Sequence, residues 1–144
     1  MRPPAKLLVL VVAVGMTAPL LATAASIRNV YVSSGELVPG QRYAREEQLP
    51  APTTTFTKGK HKVARLFVVF GDLDAHQFSG RLKASDGSVV RRFDRKIEAL
   101  NTPSQWRVVT QAFALETLKP GEYTVDLMID NEPKGTAQFT LRAP

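Results

Sequence analysis

Apolar and polar side chains alternate along the C-terminal part of the chain. The alternation over residues 123–129 predicts a strand with one buried face. A turn is predicted at Asn131, Pro133 and Gly135, and the alternation resumes over residues 137–141. Two strands joined by a turn form a hairpin, and this hairpin favours an all-β fold of the sandwich type.

The middle of the chain shows the same period of two. Residues 78–84 and 89–97 alternate, and Asp86-Gly87 between them is a strong signal for a tight hairpin turn. Residues 106–115 predict a further strand. Residues 66–70 are apolar at every position, as expected of a central strand that is packed on one face and shielded on the other. Strands at this spacing predict a β-sandwich of about seven strands.

The N-terminal segment has the pattern of a bacterial secretory signal peptide. Arg2 and Lys6 precede an apolar run over residues 7–14, and small residues follow over 22–25. The apolar run is about half the ~20 residues that a membrane-spanning helix requires, so a cleaved signal is favoured over an anchor. We expect cleavage beside Ala24 or Ala25, no transmembrane segment afterwards, and a periplasmic or secreted protein.

The segment after the signal is less regular. A short first strand is predicted around Ile27, Val30 and Val32, followed by an irregular, proline-containing connector over residues 33–55. Because this connector is long for a compact domain, either it is mobile or residues 53–57 lie along a sheet edge. The chain is therefore divided into a signal peptide (1–25), a first strand with connector (26–52) and a sandwich core (53–144).

The chain contains no cysteine, which excludes disulfides and a lipid-modified N-terminal cysteine. Loss of Arg2 and Lys6 with the signal lowers the net charge from +6 to +4. A mildly basic exported domain suits contact with an anionic envelope polymer or an acidic protein. Nucleic acid is not an expected partner, because export removes the usual target and Phe93 is the one aromatic residue among the clustered basic residues.

The run Leu118-Lys-Pro-Gly-Glu-Tyr123 resembles the corner before the penultimate strand of immunoglobulin-like and fibronectin type III domains. With the Asp86-Gly87 hairpin and the Gly135-x-x-x-Phe139 strand, the chain resembles immunoglobulin-like domains of bacterial exported proteins from Thr53 to Leu141. The resemblance implies an immunoglobulin-like β-sandwich in which the hydroxyl of Tyr123 bonds to upstream backbone. It departs from antibody domains in lacking the cysteine pair and the tryptophan of the third strand. It concerns architecture and implies no activity.

Asp72, Asp74 and His76 form a cluster that resembles a metal site. An alternating D-x-D-x-H segment can present three ligands on one side. However, the further oxygen ligands and glycine of a calcium loop, and the second histidine or cysteine of a zinc site, are absent. A plain turn after Gly71 is therefore favoured. Because no nucleophile motif or phosphate-binding loop is found, we assign no catalytic residue, cofactor or metal and do not expect an enzyme.

Six basic residues fall on the predicted hairpin over residues 78–97: Arg81, Lys83, Arg91, Arg92, Arg95 and Lys96. They are either solvated charges that protect a strand edge, or a surface for an anionic partner. Alternate residues of a strand point the same way, so Arg91 and Arg95 share one face and Arg92 and Lys96 the other. At most four of the six charges can then form one surface.

These patterns predict a non-catalytic exported interaction module for an envelope or extracellular protein, or for an anionic glycan. Contact is expected through the basic hairpin or through a strand edge. The alternative is an inhibitor or protective protein that occludes an exported hydrolase with residues 33–55 as the inserted loop. A metal-dependent activity at Asp72, Asp74 and His76 is the weaker alternative.

Overall fold

The structure of the protein is a computed structural model that describes residues 24–144. Its strands are β1 (Ile27–Ser33), β2 (Thr55–Thr57), β3 (Val63–Phe70), β4 (His76–Ala84), β5 (Val89–Ile97), β6 (Arg107–Ala114), β7 (Gly121–Ile129) and β8 (Glu132–Arg142), with a short 3₁₀ helix at Glu46–Gln48. The predicted signal peptide, except for its last two residues, lies outside the described residues. Within residues 24–144, no helix has the length and apolar character needed to cross a membrane.

The strands form two sheets that pack face to face. One sheet has the order β1-β3-β6 and the other has the order β2-β8-β7-β4-β5. All neighbouring strands are antiparallel except β2, which runs parallel to β8. The predicted immunoglobulin-like β-sandwich is therefore confirmed, with eight strands where about seven were expected. β1, which the sequence division set apart from the core, pairs with β3 and is part of the sandwich.

The core lies between the two sheets and is built from alternate residues of each strand. β3 contributes Leu66, Val68 and Phe70, which are fully buried. The five-stranded sheet contributes Phe56, Phe78, Leu82, Val125, Leu127, Ile129, Phe139 and Leu141. Burying one such side chain stabilises the fold by about 1.5–3 kcal/mol. The alternating pattern therefore provides the main force that holds the two sheets together.

The second face of β3 is also buried. Phe67 and Val69 alternate with the core residues, yet neither is more than 1% exposed. The ring of Tyr31 on β1 stacks on Phe67 with 5.1 Å between the ring centroids. The Tyr31 hydroxyl in turn donates a hydrogen bond of 2.9 Å to the carbonyl of Pro50. The prediction that residues 66–70 form a central strand shielded on its second face is confirmed.

The second half of the connector is fixed to the sandwich. Ser33 Oγ donates to the carbonyl of Ala51 at 2.6 Å, and the amide of Thr53 donates to the carbonyl of Val32 at 2.8 Å. Leu49 is buried, and β2 follows as the edge strand beside β8. Of the two alternatives for the connector, the one that places residues 53–57 along a sheet edge is confirmed. All residues from 36 to 48 are exposed or partly exposed.

The turn between β7 and β8 differs from the predicted one. Asp130 and Asn131 form it, with positive φ angles of 54° and 65°. Aspartate and asparagine tolerate this left-handed conformation, and two such residues match the twist of a hairpin. The prediction of a turn at Asn131, Pro133 and Gly135 is therefore wrong for the latter two, which lie within β8. Pro133 is tolerated there because β2 covers β8 only at Thr140–Arg142, so this end of β8 is a sheet edge.

Two other predicted turn features are present. At the β4–β5 hairpin, Gly87 has a φ of 89° and its amide donates to the carbonyl of Ala84 at 2.9 Å. The loop closes between Ala84 and Ser88, so it contains three residues and not two. At the corner before β7, the hydroxyl of Tyr123 donates to the carbonyl of Lys119 at 2.5 Å, as the resemblance implied.

Candidate functional site

Alternation along β4 and β5 divides their side chains between the core and solvent. Phe78 and Leu82 on β4, and Phe93 on β5, belong to the core cluster. The residues between them point outward from the five-stranded sheet. Four of the six predicted basic residues lie on this outward side, and we call these four the basic outer face: Arg81, Lys83, Arg92 and Lys96.

Arg91 and Arg95 lie on the opposite, core-facing side of β5. The guanidinium carbon of Arg95 is 5.0 Å from the centroid of the Phe78 ring, and Arg95 also donates to the carbonyl of Thr110 on β6. Arg91 donates to the hydroxyl of Thr117, which follows β6. Both arginines therefore connect the two sheets along one edge of the sandwich. The six charges divide into four and two, as the alternation predicted.

The charges of the basic outer face are only partly compensated. Arg81 on β4 lies directly opposite Arg92 on β5, and like charges at such a position repel each other. The nearest acid, Asp126, lies 2.7 Å from Lys83 Nζ but 3.9 Å from Arg81 Nη2. Among the described residues, Arg92 and Lys96 form no salt bridge within 4.0 Å. The face can therefore attract an external anion.

The candidate metal residues form a different arrangement at one end of the sandwich. His76 is only 4% exposed, and its ring stacks on Phe70 with 5.6 Å between centroids. Its Nδ1 lies 2.7 Å from Asp130 Oδ2, and its Nε2 lies 2.8 Å from Asp72 Oδ1. We call these three residues, Asp72, His76 and Asp130, the histidine clamp. Since each ring nitrogen faces a carboxylate, the geometry favours the doubly protonated imidazolium.

Backbone amides hold both carboxylates of the histidine clamp in place. The amide of Ser26 donates to Asp72 Oδ2 at 2.8 Å, and the amide of Gln77 donates to Asp130 Oδ1 at 2.9 Å. The clamp thus joins the segment before β1, the β3–β4 loop, the start of β4 and the β7–β8 turn. Three side chains therefore connect four parts of the sandwich.

Burial and hydrogen bonding act in opposite directions on these groups. Burial favours the neutral ring, but the hydrogen bonds to Asp130 and Asp72 outweigh it and raise the pKa of His76 above its usual 6.5. Burial also favours protonated carboxyls. At Asp72, hydrogen bonds from the Ser26 amide and the His76 ring outweigh this effect of burial. At Asp130, hydrogen bonds from the Gln77 amide and the His76 ring outweigh it. The pKa of each carboxyl is therefore lowered from its usual 3.8.

This geometry bears on the predicted metal cluster. Asp72, Asp74 and His76 do come together, with one ligand atom of each within 4.8 Å of the others. However, both ring nitrogens of His76 already face carboxylates, and a metal ion binds a nitrogen only through a free lone pair. A metal would have to displace a proton and a carboxylate together. The residues Gly71 to Ala75 form the loop that the sequence favoured.

Two residues of this end were missed by the sequence analysis. Asp130 lies far from His76 along the chain, and only the pairing of β4 with β7 brings them together. Arg107 is 9% exposed, lies over the Phe70 ring at 5.3 Å, and donates to the carbonyls of Glu98 and Asp74. Neither residue stands in a local motif, so the sequence carries no signal for either role.

The fold and the site together define an immunoglobulin-like β-sandwich with a basic sheet face and a histidine clamp at one end. No family model matches the chain, and no curated protein matches its sequence.

Solved structures do resemble it. The Pseudomonas fluorescens alkylpurine DNA glycosylase AlkC, bound to DNA containing an abasic site analogue, is 16% identical with a TM-score of 0.50. That match covers 87% of this chain, which spans about a third (32%) of the glycosylase chain. An immunoglobulin-like protein from Pseudomonas aeruginosa is 13% identical with a TM-score of 0.43, over 85% of this chain and 99% of that one. At such identities, the match to the glycosylase concerns the fold alone.

Proposed function

We propose that this protein is an exported, non-catalytic binding module, periplasmic or secreted, that contacts an anionic envelope protein or glycan through the basic outer face. Among the described residues, the one carboxylate within 4.0 Å of Arg81 or Arg92 is Asp126, which lies 3.9 Å from Arg81 Nη2 and also pairs with Lys83. One observation carries the proposal: Arg81 and Arg92 face each other across β4 and β5. Such a pair is unfavourable in isolation and becomes favourable when an anion lies on it. We also propose a relation to fibronectin type III-like domains, which the hydrogen bond from the Tyr123 hydroxyl to the Lys119 carbonyl supports.

The state of the two histidines supports a role without catalysis. His76 has a carboxylate on each ring nitrogen, and the imidazolium that this geometry favours has no lone pair with which to accept a proton or bind a metal. Nδ1 of His61 accepts the amide of Thr57 at 2.9 Å. An inhibitor of an exported hydrolase is the alternative function. The exposed side chain of Val38, at the turn closed by the amide of Gln41, gives the connector an apolar contact for such a hydrolase.

The proposal is tested with two polyanions, heparin and poly-L-glutamate, whose binding is measured at low and at physiological ionic strength. Exposed charges are screened beyond ~8 Å at physiological salt, so binding should weaken as salt increases. Changing both Arg92 and Lys96 to Gln should weaken binding about tenfold or more. The matched control changes Arg91 and Arg95 to Gln, which removes the same charge from the core-facing side of the same strand. This control should bind nearly as well as the unmodified protein.

Three results would contradict the proposal. One is the absence of binding to either polyanion at low salt. Another is equal weakening by the two double variants, once thermal melts have shown that both are folded. The third is tighter binding to duplex DNA than to either probe, which would indicate a nucleic-acid partner. Duplex DNA is the third probe because the glycosylase of similar fold is bound to DNA in its structure.

A further inference from the structure

A shallow concavity of about 350 Å³ lies on the basic outer face, where β4, β5 and β7 run side by side. Its lining includes Ser79, Arg81, Arg92, Asp94, Met128 and Asn131. Lys83 and Lys96 belong to the same face but are not part of the lining. Of the basic outer face, the two arginines therefore line the concavity and the two lysines lie outside it.

Two polar atoms in this lining lack hydrogen-bond partners. Ser79 is 8% exposed, and its Oγ is buried without a partner among the described residues. Arg81 Nε, on the same side of β4, is likewise buried and unpartnered. Buried polar atoms are nearly always hydrogen-bonded in folded proteins, so two neighbouring exceptions need an explanation. Both can donate a hydrogen bond: Arg81 Nε belongs to one of the two facing arginines, and Ser79 lies in the same lining.

Donors of this kind suit one chemical group, an oxyanion. A guanidinium presents its N–H groups in a planar fork that matches the oxygens of a carboxylate, sulfate or phosphate. The Asp94 carboxylate also lines the concavity and accepts a hydrogen bond from the neutral amide Gln77 Nε2, so it keeps its negative charge and repels an anion. The oxygens of a ligand would therefore lie on the side of Arg81 and Arg92.

We infer that this concavity binds a single oxyanion between Arg81 and Arg92, with the hydroxyl of Ser79 as a further donor. The inference rests on the proposed function and deepens it, because it names the chemical group of the anionic partner that the basic outer face recognises. The long arginine side chains rotate to admit the ligand, which exposes Ser79 Oγ and Arg81 Nε to it.

The test uses sodium sulfate, phosphate and acetate, each compared with sodium chloride at equal ionic strength. The Nε–H signals of Arg81 and Arg92 are followed by NMR in the purified protein. We expect a saturable shift of the Arg81 signal with at least one oxyanion and none with chloride. A response to acetate alone would assign a carboxylate, and a response to sulfate or phosphate would assign an ester group. Shifts that match those of chloride for all three anions would overturn the inference.

Two single variants with equal loss of charge separate a defined site from diffuse attraction. Arg92→Gln should weaken oxyanion binding about tenfold or more, since it removes a charged donor that contacts the ligand. Lys96→Gln removes a charge from the same strand and face but outside the concavity, and should have little effect. Equal weakening by the two variants would overturn the site. The proposed function would survive that result if heparin still bound in a salt-sensitive way.

Ser79→Ala provides an independent measurement. Without an anion, the variant should be as stable as the unmodified protein or more so, because an unsatisfied buried hydroxyl is removed. With sulfate present, the increase in melting temperature should be smaller than in the unmodified protein. An unchanged sulfate effect would exclude Ser79 from the site.

Discussion

His76 is buried with a carboxylate beside each ring nitrogen, and these carboxylates favour the charged form of the ring. Its stability contribution depends on pH with a sign that follows from the pKa shifts. The raised pKa of His76 means that its contribution is complete below about pH 6.5 and is lost as pH rises through the folded pKa. The lowered pKa values of Asp72 and Asp130 mean that their contribution is complete above about pH 3.8 and is lost as pH falls through their folded values.

We therefore expect the histidine clamp to stabilise the protein most between about pH 4 and 6.5. The free energy of unfolding, measured by denaturant titration at a series of pH values, should fall for the unmodified protein above this range. His76→Gln retains a polar side chain but does not titrate, so its profile should lack that decrease. Identical pH profiles for the two proteins would show that the clamp does not hold a proton in the folded state.

Tyr123 is a second residue whose two parts have separable effects. Its ring is buried and stacks on Phe139 at 5.4 Å, while its hydroxyl donates to Lys119. Tyr123→Phe should destabilise by about 1 kcal/mol through the lost hydrogen bond. Tyr123→Ala should destabilise by about 3–5 kcal/mol through the cavity it leaves. If denaturant melts give both variants the same free energy of unfolding as the unmodified protein, Tyr123 has no structural role.

At the scale of elements, the β7–β8 turn offers a matched pair of variants. Asn131 has a φ of 65°, a conformation that costs about 1–2 kcal/mol for residues other than glycine, asparagine and aspartate. Asn131→Ala should therefore lower the free energy of unfolding by about 1 kcal/mol. Asn131→Gly should be neutral or stabilising. If the alanine variant were as stable as the glycine variant, the turn would not adopt the left-handed conformation.

The elements divide into those that local sequence predicts and those that it does not. β4 and β5 were predicted because each alternates cleanly and faces one apolar layer. The β7–β8 turn was misplaced because Pro133 and Gly135 are strong local turn signals. Both residues can lie within β8 because β2 does not pair with that part of the strand. This is a property of the tertiary structure and not of the local sequence. The partnership of His76 with Asp130 was missed for the same reason, since it depends on strand pairing.

The candidate site was predictable in one respect and not in another. Alternation alone placed Arg92 and Lys96 on one side of their strand and Arg91 and Arg95 on the other. The register of β4 against β5, which sets Arg81 opposite Arg92, depends on the length of the hairpin loop and on an irregularity between Leu82 and Lys83. The burial of Ser79 depends on neighbours from several strands, which no pattern in one strand reveals.

At the scale of the whole molecule, resistance to proteolysis should vary along the chain. Arg42 and Arg45 are exposed and lie outside every strand, whereas the sites in β3 and β4 lie in paired backbone. Limited trypsin digestion, followed by mass spectrometry, should cut residues 24–144 first at Arg42 or Arg45. Changing both to Gln should delay the first cut and move it to another exposed site, such as Lys60. A first cut within residues 63–84 would mean that the whole connector is protected.

The parallel pairing of β2 with β8 has a consequence for the order of folding. Thr55 lies beside Thr140, so β2 has its partner strand only when β8 is in place. The β4–β5 and β7–β8 hairpins need only local contacts and can form early. Pairing β2 with β8 instead closes the long loop between residues 55 and 140, which costs more conformational entropy before any contact forms. During synthesis, the edge formed by β2 and β8 should therefore be among the last parts of the sandwich to assemble. Until then, residues 54–57 cannot take up their position along that edge.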